Sequence, residues 1–338
     1  MRTEFLAPGA PAWTDFLDQV PHDFYHLPGY VELCARREGG QAAAFLARDG
    51  ACGMLAPLVL RPVPGGGTWQ DASAPYGYPA PLFQGEPDPA AMAALLRAFA
   101  LAGAEQGLVS AFFRLHPLLP LPVAPFAQAG TLVEHGETIY LDLDLSPEEL
   151  DRQTRANHRA DAHRLWKRGF RADLDDWSRL DAFVAIYLET MVHCGAQDAY
   201  RFDGQYFRDL RACLGEQLHL CMVLGPAGES VAGGLFTRVD GLMQFHLAGT
   251  AEAWRRDGPA KLMLLHMRDQ ARAWGVRRLH LGGGVGCAED SLAFFKQGFS
   301  RLRATFRTFR MVLLPQVYRD LAGGAVPTDA FFPAYRRP

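Results

Sequence analysis

Arg255-Arg256-Asp257-Gly258-Pro259-Ala260 is the segment whose residue types point most directly to binding chemistry. A tight loop that opens a helix leaves backbone N–H groups at the positive end of the helix dipole, where an anionic group is favoured. A second segment, Gly282 to Gly286, follows a predicted strand, where glycines let a substrate approach the backbone closely. It is not a dinucleotide fingerprint, because neither Cys287 nor Glu289 supplies the third glycine of G-x-G-x-x-G. The stretch Asp151 to Arg171 sets seven Arg/Lys against two acids. As one helix it would carry Arg152, Arg155 and Arg159 on one face. That face is either simply solvated or a local attraction for phosphate-bearing ligands.

Other residues offer less. Tyr76 and Tyr78 either line an acceptor groove or pack their own irregular loop. Tyr200, Asp203 and Tyr206 surround a predicted helix start, where Asp203 also reads as an N-cap. His246 and His280 fall in predicted strands and read as core histidines, and no catalytic triad is evident. The six cysteines, at 34, 52, 194, 213, 221 and 287, include no C-x-x-C pair, and no H-E-x-x-H occurs. No metal site and no disulfide framework is therefore expected.

These groups must be positioned by a chain of 338 residues, 49% hydrophobic and 21% charged, which is ample for a core and suggests two domains. The net charge of −3 hides an asymmetry: residues 1–140 hold 7 Lys/Arg against 13 Asp/Glu, and the remainder 27 against 24. Such a balance argues against a general duplex-DNA binder. No apolar run is long enough to span a bilayer, since Ala90 to Ala104 is interrupted by Arg97. The N-terminus lacks a basic-then-apolar signal, so a cytoplasmic location is expected.

The pattern predicts strands at Ala42–Arg48 and Cys52–Arg61, joined at Asp49-Gly50, a helix over Pro89–Gln106 and strands at Ser110–Leu115 and Thr138–Leu143. Ser146-Pro147-Glu148-Glu149 is a helix start, and one helical stretch is expected from there to about Arg168. Domains of 1–143 and 144–338 follow, with the last residues, from Pro315, packing back on the first. Helices at Leu180–Cys194 and Asp203–Leu214 precede a meander of Leu218–Leu224, Ser230–Val239 and Leu242–Gly249. A helix at Ala260–Trp274, a strand at Arg278–Leu281, a helix at Ser291–Gln297 and a strand at Arg303–Leu314 complete the chain. No internal repeat is visible.

This order from Leu218 is similar to the GNAT acyltransferase superfamily, whose donor loop reads R/Q-x-x-G-x-G/A, and Arg255, Gly258 and Ala260 match it. Leu279-His280-Leu281-Gly282-Gly283-Gly284, Asp290-Ser291-Leu292 and Phe295-Lys296-Gln297-Gly298-Phe299 resemble the FemABX branch more specifically. Ser73 to Leu82, Tyr200 to Phe207 and His246 to Thr250 also look like family segments. The resemblance implies an α/β (α+β) fold of two tandem GNAT-like domains, each a mixed, largely antiparallel sheet flanked by helices. It implies that Lys296, with Phe295, is catalytic, and that Arg255, Arg256, Gly258, Ala260 and Gly249 border the acyl donor. Tyr76, Tyr78, Tyr200, Tyr206 and Gly283 would border the acceptor.

The implied reaction moves an aminoacyl group from aminoacyl-tRNA to an amine on a peptidoglycan precursor peptide, with no bound cofactor. A lysine suits it, because attack on an acyl carbonyl creates an oxyanion that a cation stabilises. A ribose hydroxyl also leaves far less readily than a thiol of pKa about 8.5. The partners implied are the precursor, the tRNA acceptor end and, through a lipid-linked substrate, a membrane surface. Acetyl-CoA-dependent N-acetyl transfer is the alternative; Pro259 counts against it, having no N–H for a pyrophosphate. A non-catalytic precursor-binding protein is the third reading. The long coiled-coil arm of some FemABX members has no counterpart in this sequence.

Overall fold

The computed structural model describes residues 1–119, 121–324 and 331–337. The chain forms two compact units, Met1–Gly136 with Thr305–Pro338, and Glu137–Ala304. The break at Gly136 differs from the 143/144 boundary expected from the Ser146 helix start, because the strand before that helix already belongs to the second unit. Residues from Thr305 onward group with the first unit; 325–330 and 338 lie outside the described residues.

The first unit runs β1 (Arg2–Leu6), α1 (Pro11–Leu17), α2 (Pro28–Glu38), β2 (Gln41–Asp49), β3 (Cys52–Pro62) and β4 (Gln70–Ser73). It continues with β5 (Leu82–Gln84), α3 (Pro89–Glu105), β6 (Leu108–Arg114) and α4 (Val123–Ala129). β7 (Thr131–Asp142) leads into the second unit, which holds α5 (Pro147–Gln153), α6 (Ala156–Lys167), β8 (Arg171–Leu174), α7 (Leu180–His193) and α8 (Gly204–Leu214). Then come β9 (Leu218–Leu224), β10 (Ser230–Val239), β11 (Leu242–Thr250), α9 (Ala260–Ala273), β12 (Arg278–Gly282) and α10 (Ser291–Lys296). β13 (Arg303–Val312) and α11 (Pro315–Leu321) return to the first unit.

The same plan occurs in both units. In the first, strands lie in the order β1-β2-β3-β4-β6-β13, with β5 on β3. In the second the order is β8-β9-β10-β11-β12-β7. Neighbours are antiparallel except one central pair in each unit, β4 with β6 and β11 with β12. A helix connects each parallel pair, α3 and α9 respectively, as a parallel crossover requires. The family resemblance implied this doubling, although no repeat is visible in the residues themselves. The strand closing each sheet comes from elsewhere in the chain: Thr308–Val312 pairs with β6, and Ile139–Asp142 with β12.

Local chemistry explains the elements. Asp240 and Gly241, at φ 45° and 75°, form the two-residue turn that joins β10 to β11 with the right twist. All seven residues of β9 are buried, as a central strand covered on both faces requires. The second unit's core gathers Val223, Phe236, Met263, Leu279 and Phe299, and the first unit's gathers Phe45, Phe99, Phe113 and Phe309. Ser146 and Glu149 form a reciprocal capping box at α5, as their spacing predicts.

The helix expected to continue to Arg168 is broken. Thr154 takes an extended conformation and bonds its hydroxyl back to Leu150 O at 2.9 Å, and α6 begins after Arg155. Arg152 therefore lies on α5 beside Glu149 and shares no helix face with Arg155 and Arg159. No helix among the described residues is long and apolar enough to cross a membrane.

Candidate functional site

Lys296 ends α10 with a side chain that is only 8% exposed. Its ammonium donates to the carbonyl of Gly283 at 2.6 Å. Burial pulls the amine down to about pH 8, against the opposing pull of Asp290 and Cys287. A desolvated amine that titrates near neutrality is what proton transfer or oxyanion stabilisation needs.

The loop between β12 and α10 is built to hold that amine. Asp290 caps α10 through Ala293 N at 2.8 Å and also accepts from Val285 N at 2.8 Å, closing the loop on itself. Burial pushes its carboxyl up, but the N–H bonds from Ala293, Val285 and Leu292, with the Lys296 charge, hold it below the ordinary value. Gly284 has no room for a side chain: a Cβ would lie 2.2 Å from Ala288 O and 2.3 Å from Asp290 Oδ1. Cys287 stands half-buried beside the amine; burial raises its thiol pKa and Lys296 partly offsets that.

Phe295 is half-buried, edge-on to Phe299 at 5.3 Å. Both rings pack against His158, whose imidazole is 4% exposed and meets Phe299 at 4.7 Å. The backbone of Gly298 presses so close that a Cβ there would fall 1.9 Å from His158 Cε1. Burial, then Lys261 and Arg155, lower the His158 pKa to about 4, so the ring is neutral at pH 7. Its Nδ1 is buried without a hydrogen-bond partner among the described residues. Sequence reasoning missed His158, because a histidine inside a basic amphipathic stretch carries no distinguishing pattern.

The donor loop lies at the N-terminus of α9. A 3-10 turn, Glu252–Asp257, carries Arg255 and Arg256 and ends at Gly258, whose left-handed backbone (φ 70°, ψ 46°) favours glycine. Pro259 and Ala260 then open α9. Arg255 Nη2 donates to Glu189 O at 3.4 Å, while its Nη1 is buried with no partner among the described residues. Arg256 is exposed, Asp257 pairs with Arg168, and Lys261 pairs with Asp161 at 2.5 Å.

The structure thus gathers Lys296, Phe295 and Gly283 at one place and Arg255, Gly258 and Ala260 at another. His158 links them, touching Phe295 and sensing Lys261. Gly249 lies near the end of β11, just before the donor loop. A Cβ there would lie 2.7 Å from Ile186 O, so its smallness admits α7 against β11. Tyr200 is 42% exposed, and its carbonyl accepts the Tyr187 hydroxyl. Tyr206 is 7% exposed and stacks on Phe202 at 4.1 Å, so its ring is part of an aromatic core. Tyr76 and Tyr78 belong to the first unit: the Tyr76 carbonyl accepts from Tyr30, and Tyr78 packs edge-on to Tyr25 and Phe306. His280 is buried with Nδ1 on Gln244 Oε1 at 2.7 Å, as a core histidine.

Residues 152–297 match the acetyltransferase (GNAT) domain family. No curated protein matches the sequence. Among solved structures, FemX is similar over 94% of this chain and 99% of its own, with a TM-score of 0.73 at 15% identity. L-PGS from Bacillus licheniformis is similar over 90% and 92%, with a TM-score of 0.58 at 14% identity. The C-terminal domain of a putative lysylphosphatidylglycerol synthetase from Agrobacterium fabrum is similar over 88% and 90%, with a TM-score of 0.58 at 14% identity. At these identities the likeness is one of fold. With the strand order and the loop before α9, it makes this a GNAT-fold chain of two like units. Within that class the fold is FemABX-like.

Proposed function

We propose that the protein is an acyltransferase that moves an aminoacyl group from aminoacyl-tRNA to an amine on a peptidoglycan precursor peptide. The observation that carries this reading is the buried Lys296 ammonium, fixed on Gly283 O at 2.6 Å and titrating near pH 8. An ammonium has three N–H donors, and one goes to Gly283. The others serve the reacting oxygens.

The acceptor amine attacks the aminoacyl ester carbon. The new C–N bond forms, and negative charge gathers first on the carbonyl oxygen and then on the departing ribose oxygen. Lys296 stabilises that charge and gives a proton to the leaving oxygen, and the attacking amine releases its own proton to solvent. An alkoxide leaves poorly and gains most from such a donor, which favours an ester donor over a thioester. The Arg255 guanidinium and the Gly258 loop border the donor's anionic end. Pro259, without an N–H, supports the same preference. The fold shared with the putative lysylphosphatidylglycerol synthetase domain is compatible with an aminoacyl donor. A precursor carried on a lipid would bring the protein to a membrane surface without a spanning helix.

The test is transfer from charged tRNA and from acetyl-CoA to an amine-bearing stem peptide, with the wild type and Lys296→Ala. Turnover from charged tRNA, reduced by roughly 10²-fold or more in the variant, is expected. An unaffected rate removes Lys296 from the mechanism. Acetyl-CoA at 100 times its Kd would add about 2.7 kcal/mol of stability if it binds. A clear upward shift in Tm would put N-acetyl transfer first. Binding of precursor with no turnover from either donor would leave the non-catalytic reading.

A further inference from the structure

The outer face of α6 holds groups that the chemistry at Lys296 does not use. Residues 155–171 contain six Arg/Lys and one acid, Asp161. That acid is engaged by Lys261 at 2.5 Å and Arg164 at 2.8 Å. Lys167 and Arg171 are exposed and have no carboxylate partner among the described residues. The face is therefore positive after its own ion pairs are counted.

Two exposed aromatic rings accompany this stretch, Trp166 on α6 and Phe294 on α10 against the N-cap residue of α6. Trp166 is 62% exposed, its ring near-parallel to His163 with centroids 5.7 Å apart. Phe294, also 62% exposed, lies under the Arg155 guanidinium, 4.0 Å from its ring centre. Flat rings beside unpaired cations suit a strand whose bases stack and whose phosphates need neutralising. The remaining outward residues of α6 are small or polar (Ala156, Asn157, Ala160) and form no apolar wedge for a bilayer.

The position of α6 gives this surface a purpose. Asp161 bonds Lys261 at the start of α9, Arg168 bonds Asp257 in the donor loop, and Arg155 N donates to Gly298 O at 2.8 Å beside α10. One helix thus touches both the donor loop and the element that carries Lys296.

We propose that the outer face of α6, with Phe294 of α10 and Arg171 at the start of β8, binds a single-stranded RNA end, with Trp166 and Phe294 as base-stacking platforms and Lys167 and Arg171 as phosphate contacts. This rests on the aminoacyl-tRNA reading of the donor. It assigns to α6 the task of leading the 3′ end toward Gly258. Unstacked bases are required, so a blunt duplex lacks the part that is recognised.

The experiment is fluorescence anisotropy of the full chain with a labelled, uncharged RNA hairpin bearing a short single-stranded 3′ tail. Trp166→Ala weakens binding by roughly tenfold, the scale of one lost stacked base. Lys167→Ala combined with Arg171→Ala lowers the slope of log K against log salt by about 1.4. Removing the tail costs as much as Trp166→Ala. All three side chains are exposed, so an unchanged Tm for each variant shows that the fold is intact.

The proposal is overturned if the wild type does not bind the tailed RNA at low salt, if Trp166→Ala binds unchanged, or if the blunt duplex binds equally well. Co-sedimentation with phosphatidylglycerol vesicles in place of RNA would assign the face to a membrane and overturn it too. Lys296-dependent transfer from charged tRNA with RNA binding unchanged by Trp166→Ala would sink this surface alone, whereas Lys296-dependent transfer from acetyl-CoA without RNA binding would sink the aminoacyl-tRNA reading with it. RNA binding with turnover indifferent to Lys296 would sink the catalytic assignment alone.

Discussion

Replacing Lys296 with methionine sets stability against activity in a way that can be worked out beforehand. In the unfolded chain the amine titrates at 10.5; in the folded chain burial brings it to about 8. The folded state thus holds its proton less tightly. Keeping the amine charged at pH 7 then costs about 3 kcal/mol, from the shift at roughly 1.4 kcal/mol per unit. This cost is full below pH 8 and disappears as pH rises to 10.5, because over that interval the unfolded state binds more protons. Methionine removes it while filling a similar volume, but leaves the Gly283 carbonyl without its donor, a loss of about 1 kcal/mol. The variant should therefore be about 2 kcal/mol more stable than the wild type at pH 7. At pH 10 the difference should fall to near zero or reverse. Urea unfolding at the two pH values measures this, and the same preparations should show turnover lost. A variant less stable at pH 7, by an amount that does not change with pH, would refute the claim that this amine is held desolvated.

Two further outcomes test the surroundings of the site. Asp290→Asn keeps an oxygen for the Ala293 N–H but removes the charge that raises the Lys296 pKa. If the protonated lysine is the working form, kcat/KM falls above about pH 8 in the wild type, and this limb moves to lower pH in the variant. A limb that stays in place would show that the Lys296 proton does not govern the rate. Gly298→Ala would set a Cβ against His158, whose ring is confined by Phe295 and Phe299. A loss of about 2 kcal/mol is expected. Adding His158→Ala should recover part of it, and strictly additive effects in that double-mutant cycle would contradict the packing described.

Much of the second unit was legible because its signals are local. The Ser146 helix start, the Asp203 cap, the Asp-Gly turns and the meander from Leu218 each depend on neighbours within a few residues. α1 and the short strands β1, β4, β5 and β8 were not read, since such brief segments need partners far along the chain to define them, and α2 was not read either. The helix break at Thr154 was missed for a related reason. The α5 to α6 step is held by Arg155 N on Gly298 O, a contact that no local pattern announces.

The sequence by itself determined the order of elements from Leu218 to Val312, the loop before α9 and the Phe295-Lys296 step, and through their resemblance to known families it pointed to acyl transfer. Tertiary structure alone decided how each sheet is closed, by Thr308–Val312 on β6 and Ile139–Asp142 on β12, strands remote in sequence from their partners. It also sorted the glycines: Gly284 and Gly298 admit the Asp290 and His158 side chains, while Gly249 admits a helix. Most of all, it decided the state of Lys296. A lysine at the end of a short helix is ordinarily a hydrated cation. Only the packing of Asp290, Cys287 and the Gly283 backbone around it strips that water away, and desolvation is a property of the assembled site rather than of any residue in it.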